Sequence, residues 1–390
     1  MPLDRAEKFL FELGMDHPWI FRHLVRRELY RRNRGDPEAV HEYTLNLLND
    51  PDVLGILRSR HHADFFKAPE DIMITLNGKR MSPFGTAAGM DKNGDALEAF
   101  SCVFGFQETG TIVVPEREGN RKPRVAADAR TEDIYNAQGF PSKGLVYARE
   151  ALEAFRHRMG PRPAVYANIC GLPLSDEKAV ETAMEEMKTL LVHLGPYVDG
   201  FVWNPASPNT KALMMLRRPH VARQTSELMR KYAHGMPRLM KVVPYEDSAA
   251  ARDAYLHFVG NFMAGGGHGV VAVNTKSFPK DQVPVDGWGY DSAGRSGRFL
   301  KPYMLRAVRD TRREFPEAVI VGTGGISGGD DAYDAFKAGA TMLEGFSPYT
   351  YYGLGLLPRI QRRLHERLER EHITLHEIQY EARRGRDLII

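Results

Sequence analysis

Residues 318–330 read Ala318-Val319-Ile320-Val321-Gly322-Thr323-Gly324-Gly325-Ile326-Ser327-Gly328-Gly329-Asp330. A short apolar run passes into a glycine-rich turn, and the turn opens a helix. That is one strand–turn–helix unit. The same alternation recurs along the chain. Apolar runs at 84–88, 103–107, 164–169, 199–203, 239–243, 269–273, 318–322 and 341–346 are separated by stretches long enough for helices. Eight such units predict an α/β fold, a (β/α)8 TIM barrel. One strand more or fewer would allow an open doubly wound sheet. The lack of a GxGxxG fingerprint after a strand argues against that sheet.

The first seventy residues differ. Glycine is sparse there, and Phe9, Leu10, Leu13, Trp19, Ile20, Leu24, Tyr43, Leu47 and Leu48 recur at helical spacing. Asp36-Pro37-Glu38 has the form of a helix start. Residues 1–70 are expected to form a helical N-terminal subdomain and 71–390 the barrel. Between them, 73–81 alternates about Asn77-Gly78, which predicts a hairpin at the barrel floor. The chain has 390 residues, 43% of them hydrophobic and 26% charged, which excludes a disordered or coiled-coil protein. Two cysteines exclude a disulfide scaffold and a four-cysteine metal site. A net charge of +3 gives no reason to expect nucleic acid. No apolar run is long enough to span a bilayer and no secretory signal opens the chain, so the expectation is a cytoplasmic protein.

In such barrels the chemistry sits just past the C-terminal ends of the strands. Those ends carry Lys92, Thr111, Asn168, Asn204, Lys241, Asn274 and the glycines 322–325. Each asparagine alone reads as a turn or cap. As a set, with Asn136 and Asn209, neutral amides that both donate and accept suit a flat heterocycle such as a pyrimidine. The loop with Gly324 and Gly325 follows the seventh run, a common phosphate site in barrels, and Ser296-Gly297 could add donors. Lys241 interrupts an apolar run. It is an interior ion pair, a Schiff-base nucleophile or a fixed cation beside a developing anion. Ser207 lies in no Gly-x-Ser-x-Gly elbow, so a hydrolase nucleophile is not indicated. No His-Glu pair has the second histidine of a zinc helix, so no metal is expected. His41 is taken with the surface or core histidines, and His61-His62 as a solvated pair.

Several of these segments together resemble dihydroorotate dehydrogenases. They are Ala87-Ala88-Gly89-Met90-Asp91-Lys92-Asn93-Gly94, Glu118-Gly119-Asn120 before Pro123-Arg124-Val125, Asn136-x-x-Gly139-Phe140, Ser207-Pro208-Asn209-Thr210 and Gly324-Gly325, in that order. Ser207 and the N-terminal helices are similar to the class 2, quinone-dependent type. The resemblance implies an FMN barrel that oxidises dihydroorotate to orotate in pyrimidine biosynthesis. Ser207 would take the C5 proton while a hydride leaves C6 for flavin N5, with Thr210 and Phe140 at positions of the proton relay. Lys92, Asn136, Asn204, Asn209, Asn274 and Thr275 would hold substrate. Ala88, Gly89, Lys92, Thr111, Asn136, Asn168, Lys241, Ser296, Gly297, Gly324, Gly325, Phe346 and Ser347 would hold FMN. A quinone would be the electron acceptor.

The chain departs from that pattern in places. Ala126-Ala127 stands where an aromatic and an arginine line the family's quinone tunnel. Cys170-Gly171-Leu172-Pro173 replaces a basic stretch. Phe346-Ser347 replaces Tyr-Thr, Pro141-Ser142-Lys143 replaces Asn-Ser-His, and Pro205-Ala206 precedes the serine. The expectation is retained substrate chemistry with an altered acceptor site. Segment 5–34 mixes aromatics with Arg22, Arg26, Arg27, Arg31, Arg32 and Arg34, which suits peripheral contact with the inner face of a membrane or a helix packed on the barrel. Two rivals stand beside this reading: a same-family flavin barrel with changed substrate, acceptor or activity, and an aldolase-like barrel using Lys241 on a phosphorylated substrate.

Overall fold

The computed structural model describes residues 5–160, 163–173, 178–207, 211–285 and 287–385. Eight parallel strands close into a barrel in chain order. They are β1 (Phe84–Thr86), β2 (Phe106–Ile112), β3 (Ala164–Ile169), β4 (Gly200–Trp203), β5 (Arg238–Lys241), β6 (Gly269–Ala272), β7 (Val319–Thr323) and β8 (Met342–Gly345). The ring closes through β8 and β1, with Leu343 opposite Phe84. All eight runs expected from sequence are present. β2 extends past its apolar run through Thr109-Gly110-Thr111, because β3 supplies hydrogen-bond partners whatever the side chains.

The hairpin is as expected. Strands Ile74–Leu76 and Lys79–Met81 pair about Asn77 and Gly78, whose φ values of 49° and 74° are those of a type I′ turn. Ile74, Leu76 and Met81 cover one end of the barrel interior, where Phe106, Tyr166, Val202, Leu239, Val271, Val321 and Met342 fill the bore. That end is closed by packing, and chemistry is confined to the other.

At the open end, the segments after β2 and β6 build an antiparallel sheet the sequence did not announce. Its order is Lys276–Pro279, Ser292–Ser296, Asp133–Asn136, Val125–Asp128. It carries Asn136 and Ser296 toward the barrel mouth. The helix Pro37–Leu48 starts as expected, with the Asp36 side chain accepting from the Glu38 N–H at 2.8 Å. Glu38 then pairs with Arg124 at 2.7 Å, both buried, and this joins the helix to the sheet. No helix among the described residues is long and apolar enough to cross a membrane.

Candidate active site

One cavity of about 330 Å³ opens at the C-terminal ends of the strands. Its barrel half is lined by Ala88, Gly89, Lys92, Thr111, Asn136, Phe140, Asn204, Ser207, Lys241, Asn274, Thr275, Ser296, Gly297, Gly324, Gly325, Phe346 and Ser347. Asn168 is fully buried and stands behind this wall. Asn209 and Thr210 lie outside the described residues.

The loop after β1 is shaped by Asp91. Its carboxylate accepts the N–H groups of Gly94, Asp95 and Ala96 at 2.8, 2.7 and 2.8 Å, while burial holds its pKa up at about 6. The loop thereby holds Lys92 in the cavity wall, where burial lowers its ammonium from the usual lysine range. A desolvated cation of this kind is stabilised by an arriving carboxylate.

The amides are wired to one another. Thr111 Oγ1 donates to Asn168 Oδ1 at 2.6 Å, and Asn204 Nδ2 donates to Thr111 Oγ1 at 2.9 Å. Asn168 Nδ2 donates to Glu108 Oε1. Lys241 Nζ also reaches Glu108 Oε1, at 3.2 Å, with both side chains buried. Lys241 is therefore a fixed, paired cation, which disfavours the imine-forming reading. Asn168 is a positioning group whose amide orients Thr111 and Asn204.

Two residues of the barrel half are not picked out by the sequence. Glu108 and Glu344 are both buried within strands, and Glu344 lines the cavity. Glu344 Oε2 accepts from Thr323 Oγ1 at 3.0 Å. Burial and the Glu108 carboxylate push the Glu344 pKa well above the usual range, which favours its protonated carboxyl. The signal was available: a glutamate inside an apolar run carries the same warning as Lys241.

The glycines bring bare backbone to the cavity wall. Gly297 has φ +135°, and a Cβ there would lie 1.9 Å from Asp133 Oδ1. A Cβ on Gly325, φ +77°, would lie 2.4 Å from the Lys301 N. Only bare backbone fits at either place. Ser296 Oγ and Ser347 Oγ meet at 2.9 Å beside them. Phe140 has φ +59°, rare outside glycine, and its ring lines the same wall.

The cavity continues away from the barrel into an apolar end lined by Phe11, Met15, Phe21, Val25, Leu29 and Leu45. Ala127 lines it too, as do Arg26 and His41. Burial and the Lys92 ammonium push His41 down to about 3, so the ring is neutral, and its Nε2 is buried without a hydrogen-bond partner. Arg26 stacks between Tyr30 and Tyr351, 4.3 and 4.4 Å from their ring centres, with its Nε likewise unpartnered. Neither was singled out from sequence as a site residue.

The other departures lead elsewhere. Gly171 packs against the Ala183 carbonyl, and the Leu172 N–H donates to Glu186 Oε2 at 2.8 Å. Lys143 reaches Asp95 at 2.8 Å on the surface.

Residues 74–368 match the family model described as dihydroorotate dehydrogenase. A relative from Salinispora arenicola, named dihydroorotate dehydrogenase (quinone), is 32% identical over 87% of this chain and 97% of its own. One of the same name from Deinococcus deserti is 32% identical over 91% and 97%. In fold, the chain resembles the Eimeria tenella DHODH crystal structures. The ferulenol complex gives a TM-score of 0.73 at 24% identity over 88% of this chain and 94% of that one. The ligand-free form gives 0.74 at 24% identity over 88% and 98%. The sequence motifs, the closed barrel with its polar mouth and these matches together place the chain in the dihydroorotate dehydrogenase family.

Proposed function

We propose that this chain is an FMN-dependent dihydroorotate dehydrogenase that passes its electrons to a quinone. The observation that carries the reading is the single cavity with two unlike ends, amides and a desolvated lysine at one, apolar side chains with two polar groups at the other. The net reaction is dihydroorotate plus quinone to orotate plus quinol. FMN, when bound, supplies the hydride acceptor. The donor set fits it: a glycine cradle with Ser296 and Ser347 for the phosphate, and the Lys241 ammonium for charge that develops on the ring. Ala88, Gly89, Thr111 and Phe346 complete that wall.

Lys92 binds the substrate carboxylate, and Asn136, Asn204, Asn274 and Thr275 hold the ring edges, with Asn209 as a further partner. Ser207 accepts the C5 proton. Its segment is held by Arg217, which donates to the carbonyls of Pro205 and Ser207 at 2.8 and 2.6 Å. Serine is a weak base and hands the proton on; by resemblance, Thr210 and Phe140 hold the relay positions.

At the apolar end, helices among the described residues of the N-terminal subdomain supply the wall. Arg26 takes the part of the arginine that Ala127 replaces, and with His41 it holds the quinone oxygens. Phe9, Trp19 and Leu24 are 61%, 65% and 57% exposed, beside exposed Arg27, Arg31 and Arg34. Such a face suits peripheral contact with an anionic membrane surface, from which a quinone would enter. Arg22 does not belong to it, because it turns inward to Glu132 and Tyr352.

The test is spectroscopic. The purified chain should be yellow, anaerobic dihydroorotate should bleach it, and a short-chain quinone should restore the colour faster than fumarate, NAD or oxygen. A colourless chain that takes up no FMN, or a yellow one that dihydroorotate leaves unbleached, overturns the reading.

A further inference from the structure

His61 and His62 do not form the solvated pair expected from sequence. His61 is exposed, but His62 is 3% exposed and turned into the protein. Both rings direct Nε2 at one oxygen of Asp16, each at 3.5 Å. Asp16 ends the helix Arg5–Asp16, and the histidines open the helix Arg60–Phe66. Two sequence-distant elements thus converge three ligand-type atoms, all within 4.8 Å of one another.

These contacts are too long for hydrogen bonds, which fall at about 2.7–3.2 Å for nitrogen and oxygen. Asp16 Oδ1 and His62 Nε2 are both buried, and neither has a hydrogen-bond partner. Two buried polar atoms facing each other unsatisfied are costly, and a cation between them removes the cost. Each histidine–carboxylate separation suits one. With metal–ligand bonds of about 2.0–2.2 Å, the ligand atoms of a tetrahedral zinc site lie roughly 3.4 Å apart.

The surroundings hold this geometry from both sides. Ser59 caps the second helix, and its Oγ lies 3.1 Å from His62 Nδ1. With Nδ1–H donating to Ser59, the Nε2 lone pair faces Asp16, the outer-shell arrangement that orients metal-binding histidines. On the other side, the Met15 carbonyl sits so close to Gly355 that a Cβ there would lie 1.6 Å away. That packing seats the end of the helix that carries Asp16. The exposed His61 side leaves a fourth position to solvent.

We propose that Asp16, His61 and His62 bind a divalent transition cation of the zinc type and so clamp the first helix to the helix at 60–66. Two imidazoles and one carboxylate select zinc-like ions over Mg²⁺ and Ca²⁺, which require six or more oxygens. The consequence reaches the cavity, because Phe11 and Met15 on the clamped helix line its apolar end. The inference stands on these residues alone and does not depend on the reaction assigned to the barrel.

The test uses the untagged full chain, stripped with EDTA and titrated calorimetrically with Zn²⁺. One equivalent should bind and the melting temperature should rise, with no response to Mg²⁺. Co²⁺ should give the d–d absorption of a nitrogen–oxygen site. His61→Ala changes an exposed side chain, so the fold persists; it should weaken Zn²⁺ at least tenfold and abolish both the Co²⁺ bands and the melting shift. Asp16→Asn should weaken binding as well. No stoichiometric Zn²⁺ binding, equal binding by His61→Ala and the parent chain, or Mg²⁺ binding as tight as Zn²⁺ would each overturn the proposal.

Discussion

The two ends of the cavity are built by different physics. At the barrel mouth, the functional side chains stand at strand ends, in the loops that follow or on the sheet above, and hydrogen bonds lock several of them from Asn204 through Thr111 and Asn168 to Glu108 and Lys241. At the far end the wall is made by helices from the first seventy residues, and its polar members are few. Arg26 and His41 each keep an unpartnered nitrogen there. A rigid network suits bond-making, where geometry must hold within fractions of an ångström. A greasy pocket with two polar groups suits a carrier that must enter and leave. If this division is right, the two half-reactions respond to different substitutions.

The largest effect should come from the mouth. Ser207→Ala should lower turnover by about 10²–10⁴, the usual scale for loss of a general base, with the quinone KM unmoved. A change in KM alone would blur the division. Next in size is Arg26→Leu at the far end. Removing a charged hydrogen-bond donor is worth roughly 1.5–3 kcal/mol, so the quinone KM should rise about 10- to 100-fold while dihydroorotate binding stays constant. Steady-state kinetics with either substrate varied would reveal it.

A smaller effect is expected on the outer face. Replacing Trp19 and Leu24 together by Ser should weaken binding to anionic vesicles about tenfold, since each apolar side chain buried contributes roughly 1.5–3 kcal/mol at full burial. Sedimentation with vesicles measures it, and unchanged partition would assign those side chains no lipid contact.

The smallest effect should be at Glu344. Its pKa is raised, so the folded state binds a proton that the unfolded chain releases above about 4.5. Stability is then full below that pH and falls as pH rises. Glu344→Gln mimics the protonated carboxyl. It should match the parent chain at acidic pH and become the more stable of the two as pH rises, as denaturant unfolding would show. Destabilisation at every pH would mean that the carboxyl is ionised in the fold.

The same contrast explains what the sequence disclosed. Every barrel strand could be read, because buried parallel strands need continuous apolar runs and little else does. The mouth residues could be read because they punctuate those runs: Lys241, Asn168 and Asn204 are polar where the pattern says apolar. Glu108 and Glu344 obey the same rule and were passed over. The far end resisted for a physical reason. Arg26 and His41 sit on amphipathic helices, where a polar residue every turn is ordinary, and only docking on the barrel decides which of them face inward. Arg22, Arg26 and Arg31 look alike in sequence, yet one pairs with Glu132, one lines the cavity and one pairs with Glu28 on the surface. The antiparallel sheet above the mouth was hidden likewise, its strands being only four or five residues long and mixed in polarity.

The central claim is that one cavity holds two separable half-reactions, and rapid mixing tests it directly. The parent chain, Ser207→Ala, Arg26→Leu and the double variant would be mixed anaerobically, first with dihydroorotate to follow bleaching and then with a quinone to follow recovery of colour. The account predicts that Ser207→Ala slows bleaching alone, that Arg26→Leu slows recovery alone, and that the double variant shows both losses undiminished. Slowing of bleaching by Arg26→Leu to the extent caused by Ser207→Ala would contradict it.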